Sequence, residues 1–151
     1  MKFMLVYPPF CTPTVPPHSI TYLASFLAAN SDLEIKCLDL NAKFHRIKFG
    51  FLYQRLEKAK INITSYSEML EKYSSSAKKV HRNNILSMSE GAEPELFNEL
   101  IEMILKEKPD TVGFSLVYNS QLFYSLRVIE ALSKEGIKCV AGGPAAPKFI
   151  E

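Results

Sequence analysis

Apolar positions along this chain fall into two alternating patterns: short continuous runs, and longer stretches at helical spacing. The runs Phe3 to Tyr7, Leu33 to Leu40, Thr111 to Val117 and Ile137 to Ala141 are nearly continuous, which predicts buried parallel strands. Between the first two, Ile20, Leu23, Phe26 and Leu27 repeat as one face of a helix. Pro16-Pro17 stand where such a helix opens, and Asn30 where it ends. Leu96, Phe97, Leu100, Ile101, Ile104 and Leu105 form a broader stripe, with Pro94 placed for its first turn. Glu93, Glu95 and Glu99 complement the positive end of that helix, and Lys106 and Lys108 its negative end, before Pro109-Asp110 stops it. A last helix carries Leu122, Phe123, Leu126, Ile129 and Leu132, with Ser120 as its cap and Gly136 closing it.

The stretch from Asn41 to Gly91 is the least regular. Phe51, Leu52 and Leu56, then Tyr66, Met69, Leu70 and Tyr73, recur at helical spacing. Ser74-Ser75-Ser76 and Asn83-Asn84 read as breaks. This is a helical insertion, expected to be mobile, in a compact β/α alternation. The fold class that follows is α/β, with an open doubly wound parallel sheet of flavodoxin-like strand order 2-1-3-4. Residues 1–151 form one domain, with the insertion at about 41–91. Only about ten residues follow the fourth strand, so the fifth strand of a complete domain is expected to be missing. The fourth strand then becomes an apolar edge, through which a dimer is expected to form.

Composition narrows the class. At 151 residues, 47% apolar and 23% charged, the chain can bury one core and is neither disordered nor fibrous. No apolar run approaches the roughly 20 residues of a membrane span, and Pro8-Pro9 interrupt the N-terminal run where a signal cleavage site would fall. The expected location is the cytoplasm. Cys11, Cys37 and Cys139 are odd in number and far apart, so they make neither a disulfide framework nor a local metal site. Cys37 and Cys139 are expected to be buried, inert thiols. The net charge of +2 hides an asymmetry. From Lys43 to Arg82 ten Lys and Arg face three acids, a balance of +7, while the remaining eight and thirteen leave −5. Such a basic segment is most simply a solvated helix face; a nucleic-acid partner is the less favoured alternative.

In open α/β sheets ligands bind beyond the carboxyl ends of the strands. The loops that matter here are Pro8 to Pro17, Leu116 to Ser120 and Gly142 to Pro147. No GxGxxG follows strand 1, where Pro8 and Pro9 stand instead, and no GxxxxGK[ST] occurs. Asp39 at the end of strand 2 is read as a helix cap or a solvated acid. Gly142 and Gly143 after strand 4 admit either a ligand or another backbone at close range, and a tight turn explains them equally well. Ser115 is the one polar side chain within strand 3 and falls near its carboxyl end.

Taken together, Tyr7-Pro8-Pro9, Asp39-Leu40-Asn41, Pro109 to Ser115 and Val140 to Pro144 resemble the N-terminal cobalamin-binding domain of B12-dependent radical SAM enzymes. The resemblance runs from Lys2 to about Pro147 and leaves Asn41 to Gly91 unmatched. It implies a cobalamin whose nucleotide tail enters the switch point while the corrin lies over the carboxyl ends. Ser115 would line the dimethylbenzimidazole slot, and Gly142 and Gly143 would pack against the tail, the 26 residues between Ser115 and Gly142 fitting the family's spacing. Tyr118 and Asn119 would touch the corrin or its amides, Pro8 and Pro9 match the strand-1 exit, and Pro144 follows the diglycine.

The chain also departs from that family's pattern. The serine motif SxL reads Ser115-Leu116-Val117 here. The DxHxxG motif that supplies the lower cobalt ligand is absent, since Pro16 and Thr21 flank His18 where Asp and Gly belong. His18 is therefore a poor candidate ligand. No CxxxCxxC occurs, so the [4Fe–4S] cluster and S-adenosylmethionine of such an enzyme would belong to a catalytic domain outside this chain. The expected function is a cofactor module that presents cobalamin to a radical SAM partner domain of the same polypeptide for methyl transfer, with no catalytic residue of its own. Two other readings remain open: a cofactor-free descendant acting as a scaffold or a recognition piece for substrate or RNA, and a flavin or nucleotide binder.

Overall fold

The computed structural model describes residues 1–11, 17–59 and 63–149. In chain order it holds β1 (Lys2–Tyr7), α1 (His18–Asn30), β2 (Glu34–Asp39), α2 (Leu40–Ala59) and α3 (Ile63–Ser89). It continues with α4 (Phe97–Leu105), β3 (Thr111–Ser115), α5 (Leu122–Lys134) and β4 (Lys138–Gly142). Single 3₁₀ turns span Asn119–Gln121 and Ala146–Phe149. The four strands are parallel, in the order β2-β1-β3-β4. This is the expected doubly wound, flavodoxin-like α/β sheet. The expected loop of prolines after β1 falls largely on residues 12–16, outside the described residues.

The two faces of the sheet are covered unequally. Met4, Val6, Val112 and Phe114 point into a thick core closed by α2, α3, α4 and α5. On the other face Leu5, Tyr7 and Ile20 make a small cluster under α1, with Phe3, Ala24, Leu27 and Ile35 around it. The helix face expected from Ile20, Leu23, Phe26 and Leu27 is therefore too wide. Ile20 is buried and Leu27 packs beside it, but Leu23 stays 42% exposed and Phe26 56%. A single helix over β1 and β2 can bury only the stripe that looks down on those strands. The same geometry corrects the cysteines. Cys37 is exposed and Cys139 only half-buried, because β2 and β4 are the edge strands and have a neighbour on one side only.

The segment read as an irregular insertion forms two long helices, one of 20 residues and one of 27. The serine and asparagine runs break neither. Tyr73, Ala77, Val80 and Asn84 follow one another at spacings of four, three and four residues and are all buried, so tertiary burial overrides the weak helix preference of Ser74-Ser75-Ser76. From α2 come Leu40, Phe44, His45 and Phe49. The ring of Phe10, just after β1, lies against Phe44, His45 and His81 at centroid distances of 5.4, 4.8 and 5.0 Å. The root of this hairpin thus belongs to the main core and roofs the exit of β1.

Helix α4 starts at Phe97, three residues later than Pro94 suggests. The backbone of Glu95 is claimed from both sides: its N–H donates to Asn84 Oδ1 at 2.9 Å, and its carbonyl accepts from Tyr124 Oη at 2.8 Å. With both groups held by α3 and α5, Glu95 is kept out of the helical ladder and Leu96 turns with φ 60°. Ser120 likewise does not cap α5. Its hydroxyl donates to the carbonyl of Phe10 at 2.6 Å.

His45 is fully buried, shares a 2.6 Å hydrogen bond between Nδ1 and Tyr73 Oη, and leaves Nε2 without a hydrogen bond. Burial pulls its pKa down to about 4, the nearby backbone of Cys11 offsetting only part of the effect. The folded state thus holds His45 neutral where the unfolded chain protonates it below the ordinary 6.5. Its contribution is complete above pH 6.5 and is lost as pH falls toward 4, by about 1.4 kcal/mol per pH unit. Urea unfolding at a series of pH values should show this slope, and His45→Gln should flatten it over the same window.

Candidate functional site at the carboxyl ends

The last row of the sheet on the α1 face is built one residue from each strand. Tyr7 pairs with Asp39, and Ser115 pairs with Gly142. Because Val6 pairs with Phe114, Tyr7 and Ser115 are the next neighbours across the centre. Asp39, Tyr7, Ser115 and Gly142 therefore line the rim where ligands bind in open α/β sheets.

Each member of the row has its own partner. Asp39 Oδ1 accepts the N–H of Ala42 at 2.8 Å, making it the cap of α2 as read from the sequence. Burial pushes its carboxyl up, and the backbone amides of Ala42 and Asn41 restrain that shift. Tyr7 Oη lies 3.5 Å from Cys11 Sγ. Burial raises the pKa of the phenol and of the thiol alike, so both stay protonated at neutral pH. Cys11 is thereby a weak nucleophile, unlike a thiolate held by a cation. Ser115 Oγ donates to Ser19 Oγ at 2.8 Å, which ties β3 to the first turn of α1. The row can offer hydrogen bonds to a ligand. It offers neither an activated nucleophile nor an acid–base pair.

The two glycines after β4 turn out to differ. A Cβ on Gly143 would lie 2.4 Å from the carbonyl oxygen of Leu116, and its φ is +118°. This glycine lets its own chain close up: Leu116 N–H donates to the carbonyl of Gly142 at 2.8 Å, and Ala145 N–H to that of Leu116 at 3.0 Å. A Cβ on Gly142 would meet nothing within 4 Å, and the residue is exposed. Beside it on the same face Val140 stays 49% exposed, since α1 does not reach across to β4.

Of the residues singled out from the sequence, the sheet brings Ser115 and Gly142 together. Gly143 and the exposed Pro144 belong to the turn packed on Leu116. Pro8 and Pro9 are buried at the β1 exit. Tyr118 and Asn119 project from the β3 exit loop into solvent, and His18 is exposed at the start of α1. Among the described residues no cluster of three or more His, Cys, Asp or Glu could hold a metal ion. No helix there is long and apolar enough to cross a membrane.

One residue that organises the site was not legible. Gln121 is fully buried, and its side-chain amide spans two loops: Nε2 donates to the carbonyl of Pro8 at 2.8 Å, while Oε1 accepts from Val117 and Tyr118 N–H at 2.8 and 2.9 Å. The signal for it is a capping box, a polar residue with Gln three positions later. Here the first position is Tyr118 rather than Ser or Thr, which disguises it.

Compared with protein families, curated proteins and solved structures, this chain matches none.

The contrast between the glycines is measurable. Gly143→Ala should cost about 2–3 kcal/mol in urea unfolding, from a strained backbone and the collision with Leu116. Gly142→Ala should stay within about 0.5 kcal/mol of the parent.

Proposed function

We propose that this chain is a cofactor-holding module whose ligand is a cobalamin, seated at the carboxyl rim of β3 and β4. The observation that carries the reading is the Ser115–Gly142 pair. At its end β4 presents a backbone with no side chain over it and open space in front, and a buried serine hydroxyl stands in register beside it. A flat ligand edge can approach such a floor more closely than any Cβ would allow. The half-exposed Val140 extends the floor with apolar surface.

The residues fit the nucleotide tail of that ligand in part. Ser115, with Ser19 behind it, would hold the tail by hydrogen bonds, and Gly142 would admit it. Gly143 serves the turn rather than the ligand. Tyr118 and Asn119 stand free to contact the corrin amides. Bound there, the cofactor supplies a transferable methyl group. The chain's own part is to bind it, orient it and shield one side of it. The methyl acceptor and the radical chemistry would belong to a partner domain carrying the iron–sulfur cluster.

A cofactor-free scaffold is the second reading, and a specific observation favours it. Gln121 and Ser120 tie the β3 exit loop directly to Pro8 and Phe10, so the crevice between β1 and β3 is filled by the chain itself.

Titration with hydroxocobalamin followed by desalting separates the two. The cofactor reading expects corrin absorbance to elute with the protein, and Gly142→Val to release it while the thermal midpoint stays within a few degrees. Release of corrin from folded parent protein would overturn that reading in favour of the scaffold.

A further inference from the structure

One flank of α2 carries Lys43, Ile47, Phe51 and Arg55 at strict four-residue spacing, so they lie along a single face. All four are exposed, Ile47 by 48% and Phe51 by 63%. The Arg55 guanidinium sits 4.2 Å above the Phe51 ring, which shows that neighbouring members of the row touch. This face stretches over about 18 Å of helix. It consists of two apolar anchors between two cations.

The surroundings are cationic. Before its first acid, Glu57, α2 also carries Arg46 and Lys48, and α3, after Glu68 and Glu71, holds Lys72, Lys78, Lys79 and Arg82 with no further acid along its length. Lys48 is paired with Glu95, and Lys43 lies within the electrostatic reach of Asp39. Arg46, Lys72, Lys78, Lys79 and Arg82 have no acidic partner among the described residues. Beyond the core the hairpin continues outward. From Gly50 to Lys72 none of the described side chains is buried, and Tyr66 and Leu70 remain exposed on α3.

We infer that this flank of α2 docks an acidic polypeptide segment that inserts apolar side chains at helical spacing. Unpaired cations select an anionic partner. Ile47 is aliphatic and complements a side chain rather than a base, while Arg55 covers one face of the Phe51 ring. Those features favour protein over nucleic acid. The inference concerns a surface separate from the rim at Ser115 and Gly142 and does not rest on the cofactor reading.

The test uses the whole chain and fluorescence anisotropy with three labelled probes. One is an 18-residue peptide of Glu and Leu in an amphipathic helical pattern (length chosen to cover about five turns). The second has Lys for Glu, and the third is a single-stranded RNA of about the same number of units. The Glu peptide should bind and the Lys peptide should not. Ile47→Ser with Phe51→Ser should weaken binding about tenfold or more, the loss expected when two apolar contacts go, with an unchanged thermal midpoint because both side chains are exposed. Failure of the Glu peptide to bind would overturn the proposal. So would equal binding of the Lys peptide, tighter binding of the RNA, or undiminished binding by the double variant, which would mean bare charge attraction.

Discussion

The amide of Gln121 sets the spacing between the two loops that follow the central strands. Its three hydrogen bonds reach Pro8 on one side and Val117 and Tyr118 on the other. A buried amide left without partners costs about 1–3 kcal/mol per group, so this residue holds its loops in one arrangement or not at all. Ser125 in turn accepts no freedom for Gln121: its hydroxyl donates to the Gln121 carbonyl at 2.6 Å within the first turn of α5. Ser120 adds the bond to Phe10, and Phe10 carries the aromatic stack of Phe44, His45 and His81. One chain of contacts thus runs from the β3 exit to the α2–α3 hairpin. These contacts tie the centre of the rim to the main core.

The unequal covering of the two faces has the larger consequence for function. Four helices seal one face around a core that includes rings from the β1 exit, β3, α2, α3, α4 and α5. On the other face, among the described residues, α1 is the helix that shelters β1 and β2, and Val140 and Gly142 on β4 stay exposed. Among the described residues, the sheet backbone at Gly142 is open to solvent on that side. The hairpin, placed on the sealed side, is free to grow past the core without disturbing the strands. Of its outer residues, Phe51, Arg55, Tyr66 and Leu70 are exposed rather than packed in the core. The molecule thus separates the open rim at Val140 and Gly142 from the exposed outer part of α2 and α3.

How much of this was written in the chain depends on how local the cause is. The four strands and their order follow from continuous apolar runs separated by crossover-length helical segments, a pattern that burial on both sides imposes residue by residue. Asp39 could be read as a cap because capping is settled within three residues. The serine run of α3 could not be read correctly, since its helical state is enforced by Tyr73, Ala77 and Val80 meeting a core that the local sequence does not contain. At the rim, Ser115 and Gly142 were legible as candidates from their positions at strand ends. The roles of Gly142 and Gly143 were not separable, because only the approach of Leu116, distant in sequence, makes one of them a packing residue and leaves the other open.

The sequence by itself determined the element types, the parallel sheet and the place of the rim, since hydrophobic periodicity and turn chemistry act over a few residues. Tertiary structure alone decided which apolar residues are inside. Leu23, Phe26 and Cys37 carry the apolar character of core positions and still face outward, because a helix on an otherwise open face and a strand at the sheet edge have nothing beyond them to pack on. It also decided that His45 is buried uncharged and that Gln121 bridges two loops, for each of these depends on partners that come together only when the chain has closed on itself.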